Sequence, residues 1–251
     1  MSKVCVFVNQ KGGVGKTTSV INLGAYLAEA GKKVLLVDFD SQANMSSGVG
    51  ISKEKPTVYE LIAELATAKD VIKQTKVENL DAIPASIDLA GAAIELVDQD
   101  DRDYYLKNAI EVLKKDYDYI LIDCPPSLGI LTLNGLACAN EVFIPMQCEY
   151  FALEGISLLL QTVKKVQQSI NPSLKIGGIF FTMYDSRTRL AQDVVMQVKA
   201  YFKDLVFSTI IPRNVRLSEA PSHGLPINLY DANCVGARSY KELAKEVLAR
   251  G

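Results

Sequence analysis

The stretch that decides the fold reads Val8-Asn9-Gln10-Lys11-Gly12-Gly13-Val14-Gly15-Lys16-Thr17-Thr18. It follows an apolar run, Val4 to Val8, that is typical of a buried strand, and it precedes a helical pattern of apolar residues that begins at Ser19. Glycine lets the backbone turn closely around a ligand, and the positive end of the helix dipole attracts anions. The stretch therefore predicts a loop that binds phosphate between a strand and a helix.

Two residues of this loop have expected roles in nucleotide chemistry. Lys16 is placed to reach the β- and γ-phosphates, and Thr17 is placed to bind Mg²⁺ through its hydroxyl group. The usual pattern, G-x-x-x-x-G-K-[ST], is altered because Gln10 occupies the first glycine position. An additional lysine, Lys11, also lies inside the loop. An ordinary strand-to-helix turn is the alternative, but it would not need the Gly-Lys-Thr-Thr ending.

Carboxylates are expected at the ends of two further strands. The run Lys33 to Val37 is followed by Asp38 and Asp40, and the run Tyr119 to Ile122 is followed by Asp123. In an open parallel sheet the carboxyl ends of the strands face the ligand crevice. One carboxylate of the first pair could bind a water molecule of Mg²⁺ while the other orients the attacking water, and Asp123 would reach Mg²⁺ through water. Without the phosphate loop, an ordinary turn would be the better interpretation of the first pair.

Apolar runs alternate with helical patterns along the chain. This alternation predicts an α/β fold of the P-loop NTPase class, with a mostly parallel central sheet, helices on both faces, and one ATPase domain over residues 1–251. Residues 41–56, rich in Ser, Gly and Asn, are expected to form a mobile loop. The expected strands are 4–8, 33–37, 80–83, 119–122, 142–145, 176–182 and 206–211. The main expected helices are 19–30, 104–113, 131–137, 153–170, 189–202 and 237–248.

The charge of the chain is unevenly distributed, although the formal net charge of the 251 residues is only −2. Residues 1–150 hold 14 Lys and Arg against 21 Asp and Glu, whereas residues 151–251 hold 13 against 8. This asymmetry permits a basic face on an acidic protein. The four aspartates between positions 98 and 103 lack the glycine and the glutamate of a calcium loop, so a solvated turn is expected there.

The cysteines and the start of the chain indicate the compartment. Five cysteines without a C-x-x-C spacing argue against a disulfide framework or a zinc site, and they are typical of a reducing cytoplasm. A strand is expected directly after Met1, so no signal peptide is expected, and no apolar run approaches the length of a membrane span. We therefore expect a cytoplasmic protein.

Several motifs together resemble one family of ATPases. The loop from Lys11 to Thr18 is similar to the deviant P-loop of the ParA/MinD class, whose first lysine lies inside the loop. Four further motifs narrow the resemblance to the chromosomal ParA (Soj) branch of partition ATPases, and the last of them is fairly specific to that branch. They are Val34-Leu35-Leu36-Val37-Asp38-Phe39-Asp40-Ser41-Gln42, Asp123-Cys124-Pro125-Pro126-Ser127-Leu128-Gly129, Gln147-Cys148-Glu149-Tyr150-Phe151-Ala152-Leu153-Glu154-Gly155 and Pro212-Arg213-Asn214-Val215-Arg216-Leu217-Ser218-Glu219-Ala220-Pro221-Ser222.

The resemblance implies ATP and Mg²⁺ as cofactors and gives roles to individual residues. Lys16 would bind phosphates, and Asp40 would orient the hydrolytic water. Thr17, Asp40 and Asp123 would form the metal site. Lys11 would act in trans, because in the family this lysine reaches across a nucleotide-sandwich dimer to the partner's phosphates. The implied nucleotide-binding residues are Lys11, Gly12, Gly13, Val14, Gly15, Lys16, Thr17, Thr18, Asp123, Pro212 and Asn214.

The resemblance also implies a DNA-binding surface and protein partners. Arg187, Arg213 and Arg216 match positions that the family uses to bind double-stranded DNA without sequence preference, and Arg189 is a neighbouring candidate. From the residues alone, a solvated surface is the more ordinary interpretation of these arginines. The implied partners are a second copy of the chain, joined through ATP, and a ParB-like centromere-binding protein that stimulates a slow intrinsic hydrolysis. The protein would then be associated with the nucleoid.

Two other functions remain open at this point. A MinD-like ATPase that associates with membranes is the nearest alternative. The last helix carries an apolar stripe, but Glu242 and Glu246 dilute its charge, so we expect the stripe to pack in the core and expect no membrane binding. A redox P-loop enzyme is the third possibility, although Cys124 and Cys138 do not match the pattern of a shared cluster. His223 is expected to be structural.

Overall fold

The central element of the computed structural model, which describes residues 2–150 and 152–251, is an eight-stranded sheet. The strand order is β3-β4-β2-β5-β1-β6-β7-β8, and all neighbours are parallel except β3, which is antiparallel to β4. The strands are β1 Lys3–Phe7, β2 Val34–Asp38, β3 Lys73–Gln74, β4 Leu80–Ile83, β5 Tyr119–Asp123, β6 Glu141–Gln147, β7 Lys175–Tyr184 and β8 Val206–Pro212.

Helices cover both faces of this sheet. They are α1 Lys16–Glu29, α2 Asn44–Gly48, α3 Val58–Ile62, α4 Ala68–Val71, α5 Leu89–Glu95, α6 Tyr105–Ile110, α7 Ile130–Cys138, α8 Ala152–Ser169, α9 Arg189–Phe202, α10 Val215–Glu219, α11 Ile227–Tyr230 and α12 Val235–Ala249. Two separate clusters of buried side chains occupy the two faces, one beneath α1 and α12 and the other beneath α3 and α5 to α9. The predicted mostly parallel α/β class is confirmed. Burial on both faces explains why the strands read as continuous apolar runs.

Four phenylalanines hold the middle of the sheet against α1 and α12. Phe7 and Phe143 meet edge to face at 5.3 Å between ring centroids, and Phe143 meets Phe207 in the same way at 5.8 Å. Edge-to-face pairs add to the stability that burial alone provides. Phe180 completes the group, so strands β1, β6, β7 and β8 share one aromatic core.

The sequence predictions and the structure differ mainly in the short elements. Residues 41–56 are not simply a loop, because α2 lies within them and Met45 and Ser46 are fully buried. That prediction was wrong: the Ser, Gly and Asn residues supply helix and buried contacts here. The short strand β3 and the helices α10 and α11 were not predicted. The apolar stripe of α12 packs in the core as expected, with Leu243 1% and Val247 2% exposed. No helix of the described residues is long and apolar enough to span a membrane.

Candidate functional site

The candidate site lies where the carboxyl ends of β1, β2 and β5 meet. Parallel pairing places Phe7 of β1 and Asp38 of β2 on either side of Asp123 in β5. Gly15, which precedes α1, has a φ of +86°, in the left-handed region where glycine is free of steric cost. The phosphate loop therefore delivers the N-terminus of α1 to the same edge as the two carboxylates.

The ammonium group of Lys16 lies inside the phosphate loop. Its Nζ donates hydrogen bonds to the backbone carbonyl oxygens of Asn9, at 3.0 Å, and Lys11, at 3.3 Å, and the residue is only 6% exposed. Burial lowers the pKa of Lys16, while the nearby charge of Asp123 opposes that shift. A buried cation held by neutral carbonyl groups is suited to receive the charge of a phosphate group.

Thr17 and Asp123 together fit a magnesium site. The hydroxyl group of Thr17 donates a hydrogen bond of 2.7 Å to Oδ2 of Asp123, whose other oxygen, Oδ1, is buried and lacks a hydrogen-bond partner among the described residues. Burial and the neighbouring charge of Asp38 raise the pKa of Asp123 well above its usual range. An unpartnered buried carboxylate oxygen beside a hydroxyl group suits Mg²⁺, which prefers oxygen ligands and keeps several waters. The predicted metal role of Thr17 and Asp123 stays a prediction that this geometry supports.

The two aspartates at the end of β2 have different surroundings. Asp38 is fully buried, and its Oδ2 accepts hydrogen bonds from the backbone N–H of Ser46, at 2.8 Å, and from the Ser46 hydroxyl, at 2.6 Å. Burial raises the pKa of Asp38 to about 6. Asp40 is half-buried at the mouth of the site, where its Oδ1 accepts a hydrogen bond from the backbone N–H of Gln42. The two aspartates therefore differ: Asp38 anchors α2, whereas Asp40 stays partly exposed, and its role in orienting water stays a prediction.

Ser46 joins three parts of the chain, and its replacement by alanine should destabilise the fold. Its hydroxyl group donates to Asp38 and accepts a hydrogen bond of 3.1 Å from the backbone N–H of Ala85. Ser46→Ala would leave that buried N–H without an acceptor, so the free energy of unfolding should fall by about 1–3 kcal/mol. Urea unfolding measures the change. Ser47→Ala removes an exposed serine of the same helix and should change stability by less than about 0.5 kcal/mol; equal effects would contradict the anchoring role.

Lys11 turns away from the phosphate loop of its own chain. Its ammonium group forms an ion pair with Glu149, and both side chains are 52% exposed. Both residues also line a cavity of about 230 Å³ between the loop and the beginning of α8. Glu149 lies in one of the motifs that resemble the ParA branch, but no pattern in the sequence pairs it with a residue 138 positions away.

A second cavity, of about 240 Å³, opens on the other side of the phosphate loop. It lies between Gly15 and Thr18 of the loop and the segment after β8, which contributes Pro212 and Asn214. The side chain of Asn214 also caps α10 by accepting a hydrogen bond from the backbone N–H of Arg216, at 2.9 Å. The structure thus brings the two distant nucleotide-binding candidates next to the loop, as the prediction requires.

The four candidate DNA-binding arginines are all exposed on the side of the sheet formed by β7 and β8. Pairing of Tyr184 with Pro212 brings Arg187 and Arg213 to the same edge. Arg187 forms an ion pair of 2.7 Å with Asp185, and this contact holds the pKa of Asp185 well below its usual range. Carboxylates therefore offset part of the positive charge at this edge.

The remaining two arginines follow the ends of these strands. Arg216, in α10, forms ion pairs with Glu219, at 2.9 Å, and Asp231, at 3.4 Å. Arg189 is the first residue of α9. His223 stacks on the ring of Tyr230 at 5.0 Å between centroids, in agreement with a structural role.

Comparison with known proteins identifies the family to which the chain belongs. A family model described as an AAA domain matches residues 2–176. The chromosome-partitioning ATPase Soj of Treponema pallidum is 70% identical over 250 residues, which cover 100% of this chain and 98% of the relative. The chain belongs to the ParA family of chromosome-partitioning ATPases. The sporulation initiation inhibitor protein Soj of Bacillus subtilis is 57% identical, with 100% of both chains covered.

A solved structure similar to this ParA-family chain contains a nucleotide and magnesium. It is described as cobyrinic acid a,c-diamide synthase from Mycobacterium smegmatis with bound ADP and magnesium. The two chains are 40% identical with a TM-score of 0.85, and the match covers 99% of this chain and 94% of the other. That relative holds both kinds of ligand that the phosphate loop, Thr17 and Asp123 fit.

Proposed function

We propose that this chain is an ATP-dependent switch for DNA partition, built on one ATPase domain over residues 1–251. In this proposal MgATP joins two copies in a nucleotide-sandwich dimer, and the dimer binds double-stranded DNA without sequence preference. A ParB-like partner then stimulates hydrolysis and releases the DNA. The observation that carries the proposal is the buried cradle of Lys16, Thr17 and Asp123, with a second loop lysine, Lys11, directed outside it.

Nucleotide binding would use the elements at the carboxyl edge of the sheet. Lys16 and the N-terminus of α1 would hold the phosphates, and Thr17 and Asp123 would hold Mg²⁺, which neutralises charge on the phosphates when it is bound. Pro212 and Asn214 would border the rest of the nucleotide in the adjoining cavity. Asp40 would orient the attacking water. A lone carboxylate is a weak base, so slow intrinsic turnover is expected.

The position of Lys11 supports its proposed role in a dimer. Its ion pair with Glu149 is half exposed, and exposed ion pairs contribute at most about 1 kcal/mol. The charged phosphates of a nucleotide can therefore compete for this lysine at little cost. Lys11 lies outside the cradle that Lys16 fills, and this position agrees with the proposal that it contacts phosphates bound by the second copy.

DNA binding would depend on two arginine surfaces acting together. A few contacts of Arg187, Arg189, Arg213 and Arg216 with DNA phosphates would give weak, salt-sensitive binding without sequence preference. A dimer doubles these contacts, and the second surface then binds at the high effective concentration set by the first. ATP would control DNA binding because it joins the two surfaces.

The test is a DNA-binding assay with ATP, with ADP and without nucleotide, at two salt concentrations. ATP-dependent binding that weakens with salt is expected, and equal binding in all three states would contradict the switch. Arg216→Glu should weaken ATP-dependent binding at least about tenfold while ATPase activity is retained, because a dimer loses contacts on both surfaces. Lys115→Glu makes the same charge change at an exposed residue before β5, at the amino end of the parallel strands, whereas the candidate arginines follow the carboxyl ends; this variant should bind DNA as the wild type does.

A further inference from the structure

An apolar helix face on α5 has no packing partner within residues 2–150 and 152–251. Its large side chains are highly exposed to solvent: Ile87 is 69%, Ile94 77% and Val97 48% exposed. Spacings of three and four residues place them on one side of the helical segment, opposite the buried Leu89 and Leu96. We call this surface the α5 face, and it consists of Ile87, Ala90, Ile94 and Val97. Apolar helix faces of this kind commonly mark an interaction site.

The chain around the α5 face is strongly acidic. Between Asp88 and Asp103 the sequence has six acidic residues and one basic residue, Arg102. Arg102 donates a hydrogen bond of 2.7 Å to the backbone carbonyl of Val97. Asp88 alone forms a salt bridge here within the described chain, with Lys55 at 2.9 Å. The apolar side chains are therefore bordered by negative charge.

The acidic border continues into a cavity between α3 and α6. This cavity has a volume of about 400 Å³, and its lining residues include Glu64, Asp100, Asp101 and Tyr105. Carboxylates beside an aromatic residue suit the side chain of a lysine or an arginine. Such a side chain can form an ion pair with a carboxylate and a cation–π contact with the aromatic ring. No cluster of three or more His, Cys, Asp or Glu side chains in the described residues is arranged to hold a metal ion, so these carboxylates do not form a metal cluster.

We propose that the α5 face and this cavity form a docking surface for a basic amphipathic helix of a partner protein. The apolar side of that helix would cover Ile94 and Val97, and its lysines or arginines would meet the carboxylates. A second copy of this chain fits poorly, because a twofold contact through the α5 face would bring the acidic borders of both copies together. An anionic lipid surface would be repelled for the same reason.

The test uses the full-length chain and two synthetic helices of about 18 residues, five turns, with a fluorescent label. One carries leucine on one side and lysine on the other, and the second has glutamate in place of every lysine. Fluorescence anisotropy should show that the lysine helix binds at least tenfold more tightly than the glutamate helix. Ile94→Ser should weaken binding of the lysine helix at least tenfold. Met196→Ser, which replaces a side chain that is 61% exposed on α9, should leave binding unchanged.

Three results would overturn the proposal. The first is equal affinity for the two helices, and the second is an equal effect of Ile94→Ser and Met196→Ser. The third is self-association of the wild-type chain without peptide that Ile94→Ser abolishes, since the α5 face would then belong to a second copy. ATP-dependent DNA binding by Ile94→Ser should equal that of the wild type. Loss of peptide binding with DNA binding intact would therefore support this surface without depending on the partition mechanism.

Discussion

Asp40→Ala will abolish ATP turnover while the chain stays folded and binds nucleotide. Asp40 is half-buried at the mouth of the site, and its carboxylate accepts one hydrogen bond, of 3.0 Å, from the backbone N–H of Gln42. Loss of one such partly exposed bond costs about 0.5–1.5 kcal/mol. Removal of a group that positions or deprotonates the attacking water lowers the rate about 10²- to 10⁴-fold. Phosphate release measures turnover, and urea unfolding measures stability.

Because hydrolysis releases the dimer in the proposed cycle, Asp40→Ala should also remain bound to DNA in ATP. Asp38→Ala is the matched control, since it removes a carboxylate two residues away that is fully buried and bonded twice to Ser46. That variant should lose stability first, by about 1–3 kcal/mol or more, because buried partners become unsatisfied. Turnover of Asp40→Ala within fivefold of the wild type would show that another group orients the water. Failure to bind DNA in ATP would instead place Asp40 in dimer formation.

Regular elements with strong local signals could be predicted from the sequence. A parallel strand buried on both faces must be apolar throughout, so β1, β2 and β5 are visible as short apolar runs. The phosphate loop is equally visible because its chemistry needs glycine, lysine and threonine at fixed spacing. The position of Asp123 near the phosphate loop could be predicted as well, because it is a carboxylate at the carboxyl end of a parallel strand.

Contacts between distant residues could not be predicted, because packing of the whole chain determines them. The bond from Ala85 to Ser46 and the ion pair of Lys11 with Glu149 join segments 39 and 138 residues apart. Composition suggested mobility around Ser46, whereas its position beneath Asp38 makes it a buried anchor. No local pattern distinguishes these two cases.

The uneven charge along the sequence corresponds in part to the order of the strands in the sheet. The acidic first part of the chain supplies the edge formed by β3 and β4, and α5 with its carboxylates follows β4. The more basic last part supplies β7 and β8, and the four candidate arginines follow the carboxyl ends of these two strands. The acidic segment from Asp88 to Asp103 therefore follows a strand near one end of the sheet, and the candidate arginines follow the strands at the other end. We therefore expect that the proposed DNA surface and the proposed docking surface for a basic helix can be occupied at the same time.

Gly12→Val should leave the single chain intact and abolish ATP-dependent dimer formation. Gly12 is exposed, and its φ lies outside the left-handed region. A Cβ atom added at this position would lie 3.9 Å from Cβ of Pro126, an ordinary contact, so the fold tolerates a side chain. In the proposed dimer this residue lies where the two copies close, and branched methyl groups there should keep them apart. Nucleotide affinity should stay within about threefold, and ATP-dependent DNA binding should fall to the level seen with ADP.

Sedimentation in ATP and in ADP measures dimer formation, and two other glycines serve as controls. Gly91→Val adds the same side chain to α5, where the nearest neighbour is the flexible end of Glu95, and it should dimerise as the wild type does. Gly15→Val forces a branched residue into a φ of +86° and should lose nucleotide binding itself. Blocked dimer formation with retained nucleotide affinity would thus be specific to position 12. If Gly12→Val still dimerises in ATP, the two copies do not close over this loop, and the proposed role of Lys11 in trans is wrong with it.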